Sequence, residues 1–130
     1  MASTPAHPRI LVVDDEPLLR WSVKETLGES GYQVADAGDA AGAMRAFADV
    51  HAPSDVVLLD MRLPDSADFD VLCAMRILSP VTPVILMTAH GNPELSVVAR
   101  ELGAFTVLDK PFEMDDLPPL VERALASRPA

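Results

Sequence analysis

The sequence is short of cysteine, of aromatic side chains and of long apolar runs. Its one cysteine, Cys73, cannot form an internal disulfide, which suits a reducing compartment. No apolar run is long enough to span a bilayer, and the start, MASTPAHPR, lacks the apolar centre of a signal peptide. We therefore expect a cytoplasmic protein with no membrane partner.

Positive charge is also scarce. Lysine and arginine number 10 against 20 aspartates and glutamates, which gives a net charge of −10. An acidic surface repels phosphates, so we expect no direct binding to nucleic acid. The 130 residues are 49 % hydrophobic, which is typical of one folded domain with a real core.

Five short apolar runs alternate with segments of helical spacing. Runs rich in Val, Ile and Leu are typical of strands buried on both faces of a parallel sheet. The alternation predicts an α/β fold, a doubly wound parallel sheet in a single domain with helices on both faces. We expect a flexible tail at 1–7, the domain at 8–126, and a tail or the start of a linker at 127–130. The runs lie at 10–13, 32–35, 55–59, 83–87 and 104–108.

Helix ends and inner faces can also be predicted from residue types. Pro17 suits a first helical turn, Asp39 and Asn92 suit N-caps, and Gly31 and Gly103 suit helix ends. Apolar residues at helical spacing should face the sheet. These residues are Leu19, Val23 and Leu27; Ala43, Phe47 and Val50; Val71, Ala74, Met75 and Leu78; Leu95, Val98, Ala99 and Leu102; and Leu117, Leu120, Val121 and Ala124.

Polar side chains follow all five apolar runs, although the strand before Asp36, which follows the second run, need not adjoin the point where the strand order reverses. Asp14 and Asp15 follow the first run, Asp60 the third, Thr88 the fourth and Lys110 the fifth. The carboxyl ends of parallel strands meet at one edge of the sheet, so these groups should converge there. Three carboxylates together need positive charge, which Lys110 and a Mg²⁺ ion would supply. The pattern indicates phosphoryl transfer with a carboxylate nucleophile.

Four segments resemble the motifs of one family, the receiver domains of two-component response regulators. They are ILVVDDEP, VVLLDMRLP, PVILMTAHG and LGAFTVLDKPF, and in style they are nearest to receivers of AAA+ transcription activators. The resemblance covers about residues 8–126. It implies a flavodoxin-like (βα)5 fold with strand order 2-1-3-4-5. It also implies a phosphoacceptor switch with slow autodephosphorylation, which is not a turnover enzyme.

The resemblance assigns roles to individual residues. The phosphoryl group would pass from a sensor histidine kinase or a phosphotransfer protein to Asp60, with Thr88 and Lys110 contacting it. Lys110 and Pro111 would be joined by a cis peptide bond. The magnesium ligands would be Asp14, Asp15, Asp60 and the backbone carbonyl of Arg62.

The resemblance also implies how the signal is passed on. Thr88 and the residue at position 107 would form the switch, and Arg62, Ala89 and His90 would modulate access to the phosphoryl group. The fourth helix, fifth strand and fifth helix would form the surface that changes. That surface would serve an output domain, an effector protein or a homodimer.

The sequence departs from the family pattern in three ways. Val107 replaces the usual aromatic residue, and a β-branched side chain is too stiff to swing inward as that residue does. Asp68 replaces a common glycine, where it should adopt left-handed backbone or cap the next helix. Pro118 and Pro119 should delay the start of the last helix to Leu117 or Pro118.

Other functions compete with this interpretation. Val107 and the altered loop favour a receiver-shaped scaffold that binds partners without phosphorylation. A small Mg²⁺-dependent phosphatase of the haloacid-dehalogenase type also uses an Asp nucleophile and a Lys, but its two acids after the first strand are spaced by one residue. Flavin binding is weaker still, because aromatics are 5 % and no Ser/Thr/Gly-rich loop follows the first strand.

Overall fold

The computed structural model describes residues 7–129 as one five-stranded parallel sheet with helices on both faces. The strands are β1 (Arg9–Val13), β2 (Gln33–Ala37), β3 (Val56–Asp60), β4 (Val84–Thr88) and β5 (Thr106–Asp109). The helices are α1 (Pro17–Glu29), α2 (Ala40–Phe47), α3 (Asp70–Leu78), α4 (Pro93–Glu101) and α5 (Leu117–Ala126), with a short 3-10 helix at Met114–Asp116.

The strand order is β2-β1-β3-β4-β5, so the flavodoxin-like fold class is confirmed. All four strand pairs are parallel. Strands β2 to β5 end one or two residues later than their apolar runs, at Ala37, Asp60, Thr88 and Asp109. Of the tail predicted at 1–7, all but His7 lies outside the described residues.

Two apolar layers hold the helices to the sheet. Alternate residues of one strand point to opposite faces, so Leu11 of β1 packs in the layer under α2, α3 and α4. Its neighbour Val12 packs in the layer under α1 and α5. The central strands β3 and β4 are buried along their whole length, which explains their uninterrupted apolar sequence.

The predicted helix ends are confirmed. The Asp39 side chain accepts a hydrogen bond from the Gly42 amide at 2.7 Å, and Asn92 accepts one from Leu95 at 2.8 Å. Helix α5 begins at Leu117, as the proline pair predicts. The two predicted stop glycines both have positive φ, 93° at Gly31 and 105° at Gly103.

Four apolar residues predicted to face the sheet are exposed, so that part of the prediction is wrong. They are Val50 (83 % exposed), Leu78 (55 %), Val98 (41 %) and Leu102 (38 %). Three of them lie at or beyond a helix end, where the periodic pattern continues after the helix has stopped covering the sheet. The fourth lies in α4, which covers the edge strand β5 and buries only Ala99 completely.

Asp68 adopts left-handed backbone, with φ of 36°, and Phe69 rather than Asp68 occupies the N-cap position of α3. This conformation disfavours a side chain, so we expect Asp68→Gly to stabilise the domain by about 0.5–1 kcal/mol. Urea unfolding would measure the change. Asp70→Gly, in the first turn of α3, is the matched control and should destabilise the domain. Equal or lower stability for Asp68→Gly would show that the loop carries no strain.

No helix among residues 7–129 combines the length and the apolar character needed to cross a bilayer.

Candidate functional site

The carboxyl edge of the sheet brings the predicted site residues together. Asp60 and Thr88 are the last residues of the neighbouring strands β3 and β4. Asp14 lies one residue beyond β1, which pairs with β3 on its other side. The chain runs from β1 to β2 in one direction and from β3 to β5 in the other. The site therefore lies where the strand order reverses, at the usual ligand crevice of such sheets.

Three carboxylates meet in this crevice. Asp14, Asp15 and Asp60 each offer an oxygen, and these oxygens lie within 4.8 Å of one another. Asp14 is fully buried, Asp60 is 6 % exposed, and Asp15 opens to solvent. Clustered carboxylate oxygens are hard ligands of the kind that Mg²⁺ prefers, and an exposed member leaves room for its waters. The donor set therefore fits a magnesium ion.

Lys110 lies against the same carboxylates. Its Nζ is 2.6 Å from Asp14 Oδ2, 3.5 Å from Asp60 Oδ2 and 3.8 Å from Glu16 Oε1. Its backbone amide donates to the carbonyl of Thr88 at 2.8 Å, which fixes the lysine to the end of β4. The one ammonium offsets only part of the charge of the carboxylate group, so the crevice keeps a negative potential that favours a divalent cation.

The pKa values of two groups reflect this crowding. Burial raises the pKa of Asp60, and the charge of Asp14 adds to the rise, against hydrogen bonding from the Arg62 amide and attraction by Lys110. Burial alone would lower the pKa of Lys110, but its hydrogen bond to Asp14 and the surrounding negative charges raise it above the usual value. Lys110 is thus held charged beside a carboxylate whose charge is disfavoured.

Backbone amides orient the side chains at the rim. The Arg62 amide donates to Asp60 Oδ1 at 3.2 Å, and the Glu16 amide donates to Asp14 Oδ1 at 2.9 Å. The His90 amide donates to Thr88 Oγ1 at 3.1 Å, so the threonine hydroxyl is tied to the loop that follows β4. These local bonds hold the acids and the hydroxyl without using long side chains.

The three residues predicted to modulate access to the phosphoryl group lie in loops at the carboxyl edge of the sheet. Arg62, Ala89 and His90 are exposed in the loops directly after β3 and β4. The peptide bond between Lys110 and Pro111 is cis, as the resemblance implies. Val107 is half-buried in β5, where it packs against the layer that carries α2, α3 and α4.

Two residues near the site were missed from the sequence. Arg20 of α1 donates to the carbonyl of Asp14 at 2.7 Å, and Asp65 accepts bonds from the Ala40 and Ala41 amides at 2.7 and 3.1 Å. Asp65 thereby ties the loop after β3 to the start of α2. The sequence around a charged residue on a helix or loop does not indicate such a contact, because the partner is a backbone atom or a residue distant in sequence.

The acidic crevice at the carboxyl edge of a 2-1-3-4-5 sheet defines a class of protein, the phosphoacceptor signalling domains of the flavodoxin-like fold. The family model described as response regulator receiver domain matches residues 10–122. The chain belongs to this family, and its function is that of a receiver domain in two-component signalling.

Curated relatives and solved structures agree with this assignment. The chain is 41 % identical over 117 residues to the regulatory protein AtoC of Escherichia coli K12, covering 90 % of this chain and 25 % of AtoC. It is 37 % identical over 120 residues to the transcriptional regulatory protein PdtaR of Mycobacterium tuberculosis, covering 91 % of this chain and 57 % of PdtaR. The chain thus spans between a quarter and somewhat over half of these relatives.

Two solved structures show the same fold. A receiver domain protein from Clostridium thermocellum superposes with a TM-score of 0.84 at 31 % identity, covering 92 % of this chain and 94 % of that one. The receiver domain of NtrX from Brucella abortus gives a TM-score of 0.82 at 38 % identity, covering 91 % and 98 %. Receiver domains are phosphoacceptor domains with an acidic Mg²⁺ pocket, and the aspartate group here could hold a metal ion.

Proposed function

We propose that Asp60 is the phosphoryl acceptor of this receiver domain and that it works with a bound Mg²⁺ ion. The observation that carries the proposal is the meeting of Asp14, Asp15 and Asp60 within 4.8 Å, with the Lys110 ammonium 3.5 Å from Asp60. Asp14, Asp15, Asp60 and the carbonyl of Arg62 would hold the ion. When bound, Mg²⁺ supplies charge neutralisation for the transferring phosphoryl oxygens.

The donor is a phosphohistidine of a sensor histidine kinase or a phosphotransfer protein. An Asp60 carboxylate oxygen forms a bond to phosphorus while the bond between phosphorus and the donor ring nitrogen breaks, and the electron pair stays on that nitrogen. Lys110 stabilises the negative charge on the phosphoryl oxygens, and the Thr88 hydroxyl donates to one of them after transfer. Arg62, Ala89 and His90 line the approach and modulate how easily water reaches the acyl phosphate.

The new charge on Asp60 shifts the conformational equilibrium of the surface formed by α4, β5 and α5. Thr88 is tied to the loop that leads into α4, and Lys110 is tied to Thr88 through the backbone. A groove of about 710 Å³ runs between β5 and α5, and Val107 lines it together with Leu120 and Arg123. This groove, lined in part by Val107, is the proposed surface for an output domain, an effector or a second copy of the domain.

The composition of the chain bears on the compartment and the partners of this switch. The lone cysteine and the kinase-linked function favour the cytoplasm, and the acidic surface disfavours direct contact with nucleic acid. Transcription regulation would then belong to an attached or partner module. The domain accepts a phosphoryl group and loses it slowly, without turnover of a substrate.

Incubation with Mg²⁺ and a small acyl phosphate should add one phosphoryl group, measured as intact mass. Asp60→Asn should add none, and a chelator should prevent addition to the unmodified chain, because the carboxylate nucleophile and the metal are both required. Asp109→Asn, which alters an exposed acid beside Lys110, is the matched control and should still be modified. A phosphoryl group on Asp60→Asn would show that the acceptor lies elsewhere.

A scaffold without phosphorylation is the second candidate, and Val107 in place of the family's usual aromatic favours it. A scaffold needs no cation, so it predicts no Mg²⁺ binding at millimolar concentration. Calorimetric titration of the unmodified chain with MgCl₂ separates the two functions, since the phosphoacceptor requires measurable binding.

A further inference from the structure

We infer that Arg20 is a positioning residue that orients the Asp14–Asp15 pair toward the metal. This inference rests on the proposed function. Arg20 lies in the first turns of α1 and does not belong to the carboxylate group itself. Its Nη1 donates to the backbone carbonyl of Asp14 at 2.7 Å, and its Nε donates to Asp36 Oδ2 of β2 at 2.9 Å. The guanidinium therefore joins the end of β1 to the neighbouring strand.

The peptide unit that Arg20 binds is the one that joins Asp14 to Asp15. A peptide unit is planar, so fixing its carbonyl also fixes the direction of the Asp15 amide and the Cα beyond it. The amide of Asp14 is held separately, since it donates to the Ala37 carbonyl at 3.1 Å. The backbone of the acidic pair is thus held on both sides, by β2 and by Arg20.

The position of the Asp15 carboxylate depends more on the backbone than the positions of the Asp14 and Asp60 carboxylates do. The Asp14 carboxylate is held by Lys110 and by the Glu16 amide, and Asp60 by the Arg62 amide. Within residues 7–129, no hydrogen bond holds the exposed Asp15 carboxylate. Its place near the other two acids therefore depends on the backbone conformation that Arg20 fixes.

Gly38 leaves the space in which the Arg20 guanidinium lies. A Cβ atom at this position would come within 2.9 Å of Arg20 Nη1, the atom that binds the Asp14 carbonyl. Gly38 does not have positive φ, so its backbone accepts alanine without strain. Gly38→Ala would consequently displace the guanidinium while leaving every charge of the protein in place.

Lys24 provides a matched comparison. Its Nζ also pairs with Asp36, at 3.0 Å, but within residues 7–129 it donates no hydrogen bond to the Asp14 backbone. Removing either cation makes the region more negative by one charge, which by itself would strengthen the binding of a divalent cation. A positioning role predicts the opposite sign for Arg20, so electrostatics and positioning can be distinguished.

The experiment is calorimetric titration of the full chain with MgCl₂ at pH 7, with folding checked by circular dichroism. Residues that orient metal ligands typically contribute 10–100-fold to affinity, so Arg20→Gln should weaken Mg²⁺ binding by about tenfold. Gly38→Ala should weaken it in the same direction without any change of charge. Lys24→Gln should change it by less than about twofold.

Phosphorylation by a small acyl phosphate gives a second measurement. For Arg20→Gln the Mg²⁺ concentration at half-maximal rate should rise by about tenfold, because the loss is in ion binding. The rate at saturating Mg²⁺ should stay near that of the unmodified chain, since Asp60, Thr88 and Lys110 are unchanged. A lower saturating rate with unchanged half-saturation would overturn the positioning role.

Each outcome of the titration decides something. Unchanged or tighter binding by Arg20→Gln overturns the inference and leaves the proposed function intact. If Arg20→Gln does not fold, unchanged binding by folded Gly38→Ala overturns the inference in the same way. Absence of Mg²⁺ binding by the unmodified chain overturns the proposed function and this inference together.

Discussion

Lys110→Met should lower the free energy of unfolding by about 3 kcal/mol in the absence of metal, because it leaves a buried carboxylate without its charge partner. Asp14 is fully buried and lies 2.6 Å from the Lys110 ammonium, and the Lys110 side chain is itself only 13 % exposed. The substitution also removes the cation nearest to Asp60. Urea unfolding at pH 7 with a chelator present would measure the loss.

Two comparison variants test this cause. Adding Asp14→Asn to Lys110→Met removes the stranded charge and should recover most of the lost stability. Lys24→Met breaks a more exposed pair, with side chains 42 % and 29 % exposed, and should cost at most about 1 kcal/mol. If the double variant were less stable than Lys110→Met alone, the stranded Asp14 charge would not be the cause of the loss.

Asp60→Asn should raise the free energy of unfolding of the metal-free domain by about 1 kcal/mol, and it should abolish acceptance of a phosphoryl group. Asp60 is nearly buried, and the charge of Asp14 adds to the cost of ionising it. A neutral amide of the same shape removes that repulsion, as is common where a functional site is kept at a cost in stability. Saturating Mg²⁺ should reduce or reverse the difference, because the ion binds the aspartate form.

The pH dependence has a definite sign. The pKa of Asp60 is raised in the folded state, so the folded protein binds protons more readily than the unfolded chain. Ionisation of Asp60 therefore leaves the free energy of unfolding of the wild-type chain unreduced below the ordinary aspartate pKa. That free energy falls as the pH rises through the raised pKa of Asp60. The advantage of Asp60→Asn should be smallest in acid and should grow toward pH 7.

Asp65→Asn is a control of opposite sign. Two amides at the start of α2 lower the pKa of Asp65, so its charge stabilises the folded state above the ordinary aspartate pKa. This variant should be less stable than wild type at pH 7, and the difference should vanish as the pH falls through the lowered value. If both variants shifted stability in the same direction at pH 7, the burial of Asp60 would not explain its effect.

Together the predictions describe a site whose function requires charges that the fold does not fully offset. Lys110 provides one positive charge to three carboxylates that lie within 4.8 Å of one another. A bound cation supplies further positive charge and should therefore raise the stability of the domain by mass action. The repulsion that weakens the metal-free domain is thus also what creates the affinity for the ion.

Much of the fold could be predicted from the sequence, because strands and helices differ in period and the ends of elements have distinctive residues. The uninterrupted apolar runs of β3 and β4, the N-caps Asp39 and Asn92, and the delayed start of α5 at Leu117 all agree with the structure. The inner faces were predicted less well. Leu102 continues the pattern of α4 but lies past its end, since periodicity describes one helix and not the extent of the surface that it covers.

The sequence by itself determined which groups stand at the carboxyl edge, since each of Asp14, Asp60, Thr88 and Lys110 follows an apolar run and alternation places all strand ends on one side. Only the tertiary structure decided how those groups are held. The bond of Arg20 to the Asp14 carbonyl, and that of Asp65 to the start of α2, join residues on separate elements. Neighbouring side chains alone cannot indicate such bonds, because their partners are backbone atoms whose direction exists only after the chain has packed.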